Sequence, residues 1–178
     1  MCYTHCMAHL MIDIETLSTA PNATILTIAA QPFDPFGTGQ HEQKYYGRLD
    51  LESQADRHIN DETITWWSTQ PEAQEEAFHP DNRVSLKQAL DELRPLLWNA
   101  TAVWSQGSFD FVIIENAYNS IGEIAPWQFW KVKDSRTVIG LYPDCPRPTT
   151  AHHALIDCQV QIDRLQQTLR HLNVKEMR

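Results

Sequence analysis

The chain has 178 residues, 42% of them hydrophobic and 21% charged, with a formal net charge of −9 at pH 7. That length fits one domain spanning residues 1–178, able to bury about 70% of the surface its unfolded form would expose, and the composition is that of an ordinary globular protein. No apolar run approaches the roughly 20 residues that a membrane span needs and no basic leader precedes an apolar stretch, so a cytoplasmic, soluble protein with no membrane partner is expected. The acidic balance argues against nucleic-acid binding through a broad basic surface, an objection that weakens if several acids hold divalent cations and reverse the local field.

In chain order, residues 1–8 read as a flexible N-terminus. Cys2, His5, Cys6 and His9 have ligand-like spacing, yet closed zinc sites pair two ligand groups across a longer loop. With Cys145 and Cys158 the four cysteines form no disulfide pattern. Residues 9–15 and 24–33 read as strands, followed by the turn DPFGTG and a third strand, QKYYGRL, which together predict an antiparallel meander. From Asn60 the pattern turns helical, with cap candidates at Asn60 and Asp61 and a stop before Pro71. The acidic run 72–76 reads as a solvated helix face. Ser85 to Gln88 resembles a capping box opening a helix through Leu86, Leu90, Leu93 and Leu97, which Pro95 is expected to kink or shorten.

Thr101 to Trp104 is a short fourth strand, and Ser108 is placed to cap a helix from Phe109 to Ile121 that Gly122 ends. PWQFWKV supplies a fifth strand and DSRTVIGLY a short helix. Leu155, Cys158, Ile162, Leu165, Leu169 and Leu172 recur at steps of three and four, which predicts a long terminal helix with one face on the sheet. The order describes an α/β protein: a mixed five-stranded sheet with helices on both faces.

Against that frame four acids stand out. The run Leu10 to Ile14 is too apolar for an exposed edge, yet Asp13 and Glu15 lie in or beside it. Alternation in a strand puts Asp13 and Glu15 on one face while Ile12 and Ile14 enter the core on the other, and two like charges side by side call for a cation. Asp110 opens the helix after the fourth strand and Asp157 lies in the first turn of the last helix. All four therefore sit where element ends can meet a common cleft. Four carboxylates without a matching Cys or His set select Mg²⁺ or Mn²⁺ over zinc.

Asp-x-Glu in IDIET (12–16), Phe-Asp in SFD (108–110) and His-x-Ala-x-x-Asp in HHALID (152–157) resemble the three motifs of the DEDD superfamily of 3′-to-5′ exonucleases, in its histidine-bearing branch. That branch includes the proofreading epsilon subunit of bacterial DNA polymerase III, ribonuclease T and oligoribonuclease. PNATILTIAA, Trp66 and Trp67, WSQGSFD, PWQFW and DSRTV are further similar to stand-alone phage and bacterial exonucleases, those related to exonuclease VIII and the mycobacterial exoribonuclease type.

The resemblance implies a ribonuclease-H-like fold and two-metal hydrolysis of single-stranded RNA or DNA with a free 3′ end, releasing nucleoside 5′-monophosphates. Asp13, Glu15 and Asp157 would hold the ion that binds the attacking water, with Asp13 bridging to a second ion near Asp110. For the general base, helix spacing taken alone favours His153, four residues before Asp157. The family pattern puts it at His152 in the preceding loop, and His152 is the residue taken here. Related enzymes place backbone donors and an apolar wedge at the positions of Thr16 and Leu17, and Phe109 is placed to stack on a base. Ser105 and Gln106 read either as part of that pocket or as turn formers. Arg136 reads either as a phosphate partner or as an arginine held by Asp134. Of Trp66 and Trp67, at least one is expected in the core. The resemblance also leaves room for a homodimer, and the alternative to an enzyme is a catalytically silent nucleic-acid-binding module of the same fold.

Overall fold

A computed structural model describes residues 9–149 and 151–177. The N-terminal segment 1–8, and with it most of the Cys2–His9 cluster, lies outside the described residues. His9 is described, and its Nδ1 accepts a hydrogen bond from Trp104 Nε1 at 2.9 Å.

Strands β1 (His9–Thr16), β2 (Ile25–Phe33) and β3 (Tyr45–Leu49) form the expected antiparallel meander. Helices α1 (Asp61–Trp67) and α2 (Pro71–Ala77) follow. Asn60 caps α1 by accepting from Thr63 N, and Pro71 opens α2 as its first residue, a position where its missing N–H costs nothing. The two-residue strand β4 (Arg83–Val84) leads into α3 (Leu86–Asn99), β5 (Val103–Ser105) and α4 (Phe109–Ser120). Strand β6 (Val132–Asp134), α5 (Ser135–Ile139) and α6 (Ala154–His171) complete the chain.

The sheet is mixed and has six strands in the order β4-β3-β2-β1-β5-β6, with β5 parallel to β1. Five were expected. The extra one, Arg83–Val84, is too short to carry an alternating pattern and exists only because β3 offers it a parallel edge. The PWQFWKV segment contributes only its last residue to β6, since Phe129–Lys131 forms a single 3₁₀ turn.

Both faces of the sheet are covered, because β1 alternates apolar residues in both directions. Leu10, Ile12 and Ile14 pack with Leu86, Leu90, Leu93 and Leu97 of α3 and with Ile114 and Tyr118 of α4. Met11, with Ala29 and Phe33 of β2, faces Cys158, Ile162, Leu165 and Leu169 of α6. Each fully buried aliphatic side chain contributes roughly 1.5–3 kcal/mol, so the central strands are clamped from two sides.

Three local expectations are adjusted. Helix α3 continues through Pro95 to Asn99, because Pro95 lies on its exposed side, where water can satisfy the carbonyl one turn back. Ser85 Oγ accepts from Gln88 N as in a capping box, but the Gln88 side chain donates to Glu92 rather than returning to Ser85. Ser108 occupies the cap position of α4 without a side-chain cap bond. Gly122, at φ +75°, ends that helix as expected, with Gly122 N bonded to Asn119 O and Glu123 N to Tyr118 O.

Candidate active site

Strand β1, the start of α4 and the start of α6 meet at one end of the sheet and enclose a cleft of about 290 Å³. Asp13, Glu15, Asp110, Asp157 and His152 all line it, together with Phe109 and Gln106. The two β1 acids share the α6 face with Met11, while Ile12 and Ile14 enter the opposite core, so strand alternation places them side by side. The Asp110 carboxylate accepts from Ile14 N at 3.1 Å and pins α4 to the strand between the two acids. Asp157 Oδ1 accepts from Ala151 N at 3.2 Å, which ties the loop carrying His152 onto the acid at the head of α6. One donor atom from each of Glu15, His152 and Asp157 lies within 4.8 Å of the others.

The two histidines part company. His152 has φ +50°, a left-handed conformation that costs a non-glycine residue on the order of 1 kcal/mol or more, and its ring lines the cleft. Trp66 meets that ring edge-on at 4.8 Å. His153 instead caps α6, its Nδ1 accepting from Leu155 N at 3.3 Å, and packs on Tyr46 at 4.9 Å. The helix-face spacing that favours His153 does not apply, because His153 precedes the helix as its cap residue and Ala154 is the first helical residue.

The acids perturb one another strongly. Asp13 is held well above the usual carboxylate range, first by burial and then by the charges of Asp110, Glu15 and Asp157, with a hydrogen bond from Gln161 opposing them. Glu15 is pushed up to about 8 by burial, then by Asp157, Asp110 and Glu76. Asp110 rises to about 6 through burial, restrained by backbone donors, Ser105 and Arg136. Carboxyls that hold protons this tightly repel one another when ionised, and a divalent cation among them removes that repulsion. Oxygen donors with one imidazole fit a hard ion such as Mg²⁺ or Mn²⁺.

Other positions singled out in the sequence have different places. Thr16 and Leu17 are buried, 8% and 3% exposed, and neither lines the cleft. Leu17 packs with Leu26 and Trp67 under α1, so its side chain is a core residue rather than a wedge facing the cleft. Ser105 is fully buried and donates to Gly107 O, a turn-forming role, whereas its neighbour Gln106 does line the cleft. Trp67 is core and donates from Nε1 to Thr16 O at 2.9 Å. Asp134 does not hold the Arg136 guanidinium: its carboxylate accepts from Arg136 N and from Thr137 Oγ1. The Arg136 side chain lines the cleft and donates to Gln106 O.

Sequence reasoning missed two residues. Gln161 donates to Asp13 Oδ1 at 2.7 Å and is 4% exposed. Its signal was available, since it lies one turn after Asp157 on the buried side of α6, where an amide needs a polar partner. Glu76, expected on a solvated face, is half-buried instead. It accepts from Tyr46 and pairs with Arg48 at 2.6 Å beside His153, partners from β3 and the head of α6 that local charge patterning cannot register.

A mixed sheet with helices on both faces is the architecture of the ribonuclease-H-like fold, and on such a fold the site rather than the architecture sets the activity. The model of the 3′-5′ exoribonuclease Rv2179c-like domain family matches residues 8–169, and the chain belongs to that family. It is accordingly a 3′-5′ exonuclease, a hydrolase acting on nucleic acid. Among solved structures it is similar to S. pombe Pop2p in its Mg²⁺- and Mn²⁺-bound form, with a TM-score of 0.67 and 12% identity over 97% of this chain and 86% of that one. It is also similar to the RNase domain of the yeast Pop2 protein, with a TM-score of 0.57 and 10% identity over 96% of this chain and 79% of that one. At such identities the likeness is one of fold. No curated protein sequence matches the chain. Among the described residues, no helix is long and apolar enough to cross a membrane.

Proposed function

We propose that the protein removes nucleotides one at a time from the 3′ end of single-stranded RNA or DNA, releasing nucleoside 5′-monophosphates, with His152 as general base. The observation that carries this reading is the gathering of Asp13, Glu15, Asp110, Asp157 and His152 around one cleft, with donor atoms of Glu15, His152 and Asp157 within 4.8 Å. Asp13, Glu15 and Asp157 would hold one divalent ion, with Asp13 and Asp110 holding a second. Bound there, the ions supply charge stabilisation for the entering and leaving oxygens of an in-line displacement.

The chain's own residues do the rest. His152, held by the Ala151–Asp157 bond and the edge of Trp66, takes the proton from the attacking water, a task suited to imidazole near neutral pH. Phe109, 38% exposed at the cleft, offers a face on which the terminal base can stack. Gln106, which lines the cleft, offers an amide to the nucleotide. A cleft of this size has to admit a nucleotide separated from its partner, and unpairing costs a few kcal/mol that a single strand avoids.

The test is incubation of 5′-labelled single-stranded RNA and DNA of equal sequence, and of the matched blunt duplexes, with Mg²⁺ or Mn²⁺. A ladder shortening from the 3′ end, faster on single strands, is the expected result. Internal cuts without a ladder, or no metal dependence, would refute it.

A further inference from the structure

Fourteen Lys and Arg residues face 23 Asp and Glu in this chain, so a cavity whose only charged lining residues are cations is not what the composition predicts. Three arginines, Arg136, Arg147 and Arg164, nevertheless line a second cavity of about 480 Å³, and no acid lines it. This cavity opens beside the carboxylate cleft and shares Gln106, Arg136, Pro148 and Arg164 with it. Arg136 acts on the Asp110 carboxylate through its charge, but none of the three arginines forms a direct ion pair among the described residues. The nearby carboxylate of Asp134 is already engaged by Arg136 N and Thr137 Oγ1. Arg164 Nε is buried with no hydrogen-bond partner among the described residues. A buried donor left unpaired on a charged group is costly unless something arrives to accept from it.

Guanidinium groups match phosphate oxygens in geometry as well as charge. We propose that Arg136, Arg147 and Arg164 form a second phosphate site, which holds the phosphate one nucleotide 5′ of the scissile bond. The assignment rests on the exonuclease reading above, and the position follows from strand chemistry. When the last phosphodiester of a 3′ end sits among the acids, the strand has no further phosphate on its 3′ side. Any phosphate reaching the adjoining cavity therefore belongs to the 5′ side. It also answers how a protein of net charge −9 retains a polyanion, because the attraction is concentrated at the one place where the strand leaves the acids.

The phosphate can be an internal diester of a longer strand or the terminal monoester of a 5′-phosphorylated dinucleotide. Three substrates separate these: a dinucleotide lacking a 5′-phosphate, the same dinucleotide carrying one, and an unphosphorylated trinucleotide. The first has only the scissile phosphate. With Mn²⁺, the wild-type protein is expected to show a kcat/KM about tenfold or more higher on the second than on the first, mainly through KM, as a charge-assisted contact provides. Arg147→Gln and Arg136→Gln should each cut that ratio several-fold. An equal advantage for the trinucleotide assigns an internal diester to the site, and an advantage confined to the phosphorylated dinucleotide assigns a terminal monoester.

Arg147 is exposed, so its replacement leaves the core untouched, and the melting temperature of the variant checks this. Binding of both dinucleotides to metal-free protein, followed by isothermal titration, provides a readout independent of turnover. Tighter, Arg147-dependent binding of the phosphorylated form with no hydrolysis of any strand would remove the nuclease reading and retain the site. Ratios and affinities unchanged in both variants overturn the site.

Discussion

The rings of Trp66 and His152 lie nearly at right angles with their centroids 4.8 Å apart. Trp66 is partly exposed at the end of α1, next to Trp67, which is buried and bonded to the β1 backbone. One tryptophan thus anchors the helix to β1 while the other packs on a histidine whose backbone is left-handed. Edge-on aromatic pairs are worth about 0.5–1.5 kcal/mol. Trp66→Ala should therefore lower kcat by roughly two- to tenfold at saturating metal, and Trp66→Phe should restore most of it. If turnover and its pH dependence are unchanged in Trp66→Ala, the contact has no part in holding the base.

The adjacent histidines should separate cleanly. His152→Ala is expected to lose about 10² to 10⁴ in turnover, the usual worth of a positioned proton acceptor, while metal binding persists through the four acids. His153→Ala should instead cost about 1 kcal/mol of stability through the lost cap of α6, with turnover changed only a few-fold. Rates and urea denaturation of both variants decide this; a severe catalytic loss confined to His153→Ala would move the base to the cap position.

Metal-free stability should fall as pH rises. The folded Glu15 carboxyl titrates at about 8 against its ordinary 4.5, chiefly through burial, so the folded state binds this proton more tightly than the unfolded chain does. Its stabilising contribution is complete below about pH 4.5 and is lost as pH rises toward 8, an effect on the order of a few kcal/mol. Mg²⁺ or Mn²⁺ takes over the protons' role and should raise the melting temperature at millimolar concentration, most strongly at the alkaline end. Glu15→Gln should flatten the metal-free profile. Melting curves between pH 4.5 and 8, with chelator and with Mn²⁺, measure all three effects; a chelated protein indifferent to pH contradicts the mutual repulsion of the acids.

Asp13→Ala should abolish hydrolysis and leave the metal-free protein as stable as the parent or slightly more so, because a buried carboxylate facing the charges of Asp110, Glu15 and Asp157 is gone. Activity within tenfold of the parent would sink the proposed site.

Gln161 positions Asp13 from α6 through its 2.7 Å bond. Partners of this kind are typically worth 10- to 100-fold in metal affinity, so Gln161→Ala should raise the Mn²⁺ concentration for half-maximal activity by about that factor, with kcat at saturating Mn²⁺ recovering. Calorimetric titration with Mn²⁺ checks the affinity directly.

The sequence by itself determined what depends on local periodicity. Alternation in LMIDIE put Asp13 and Glu15 on one face of a strand, the 3.6-residue repeat placed Asp157 in the first turn of α6, and Asn60, Ser85 and Gly122 marked helix ends through bonds to near neighbours. Motif order extended this to a cleft shared by four acids. Tertiary structure decided everything that depends on partners distant in the chain. Arg83–Val84 is a strand only beside β3, Leu17 is core only because Trp67 and Leu26 close over it, and Glu76 is half-buried only because Tyr46 and Arg48 reach it. The different placing of the two histidine rings belongs to this second group: a left-handed His152 held by Asp157 through Ala151 turns its ring to the cleft, while His153 caps the helix. Periodicity records the direction of a side chain within its own element, whereas these contacts depend on how separate elements pack.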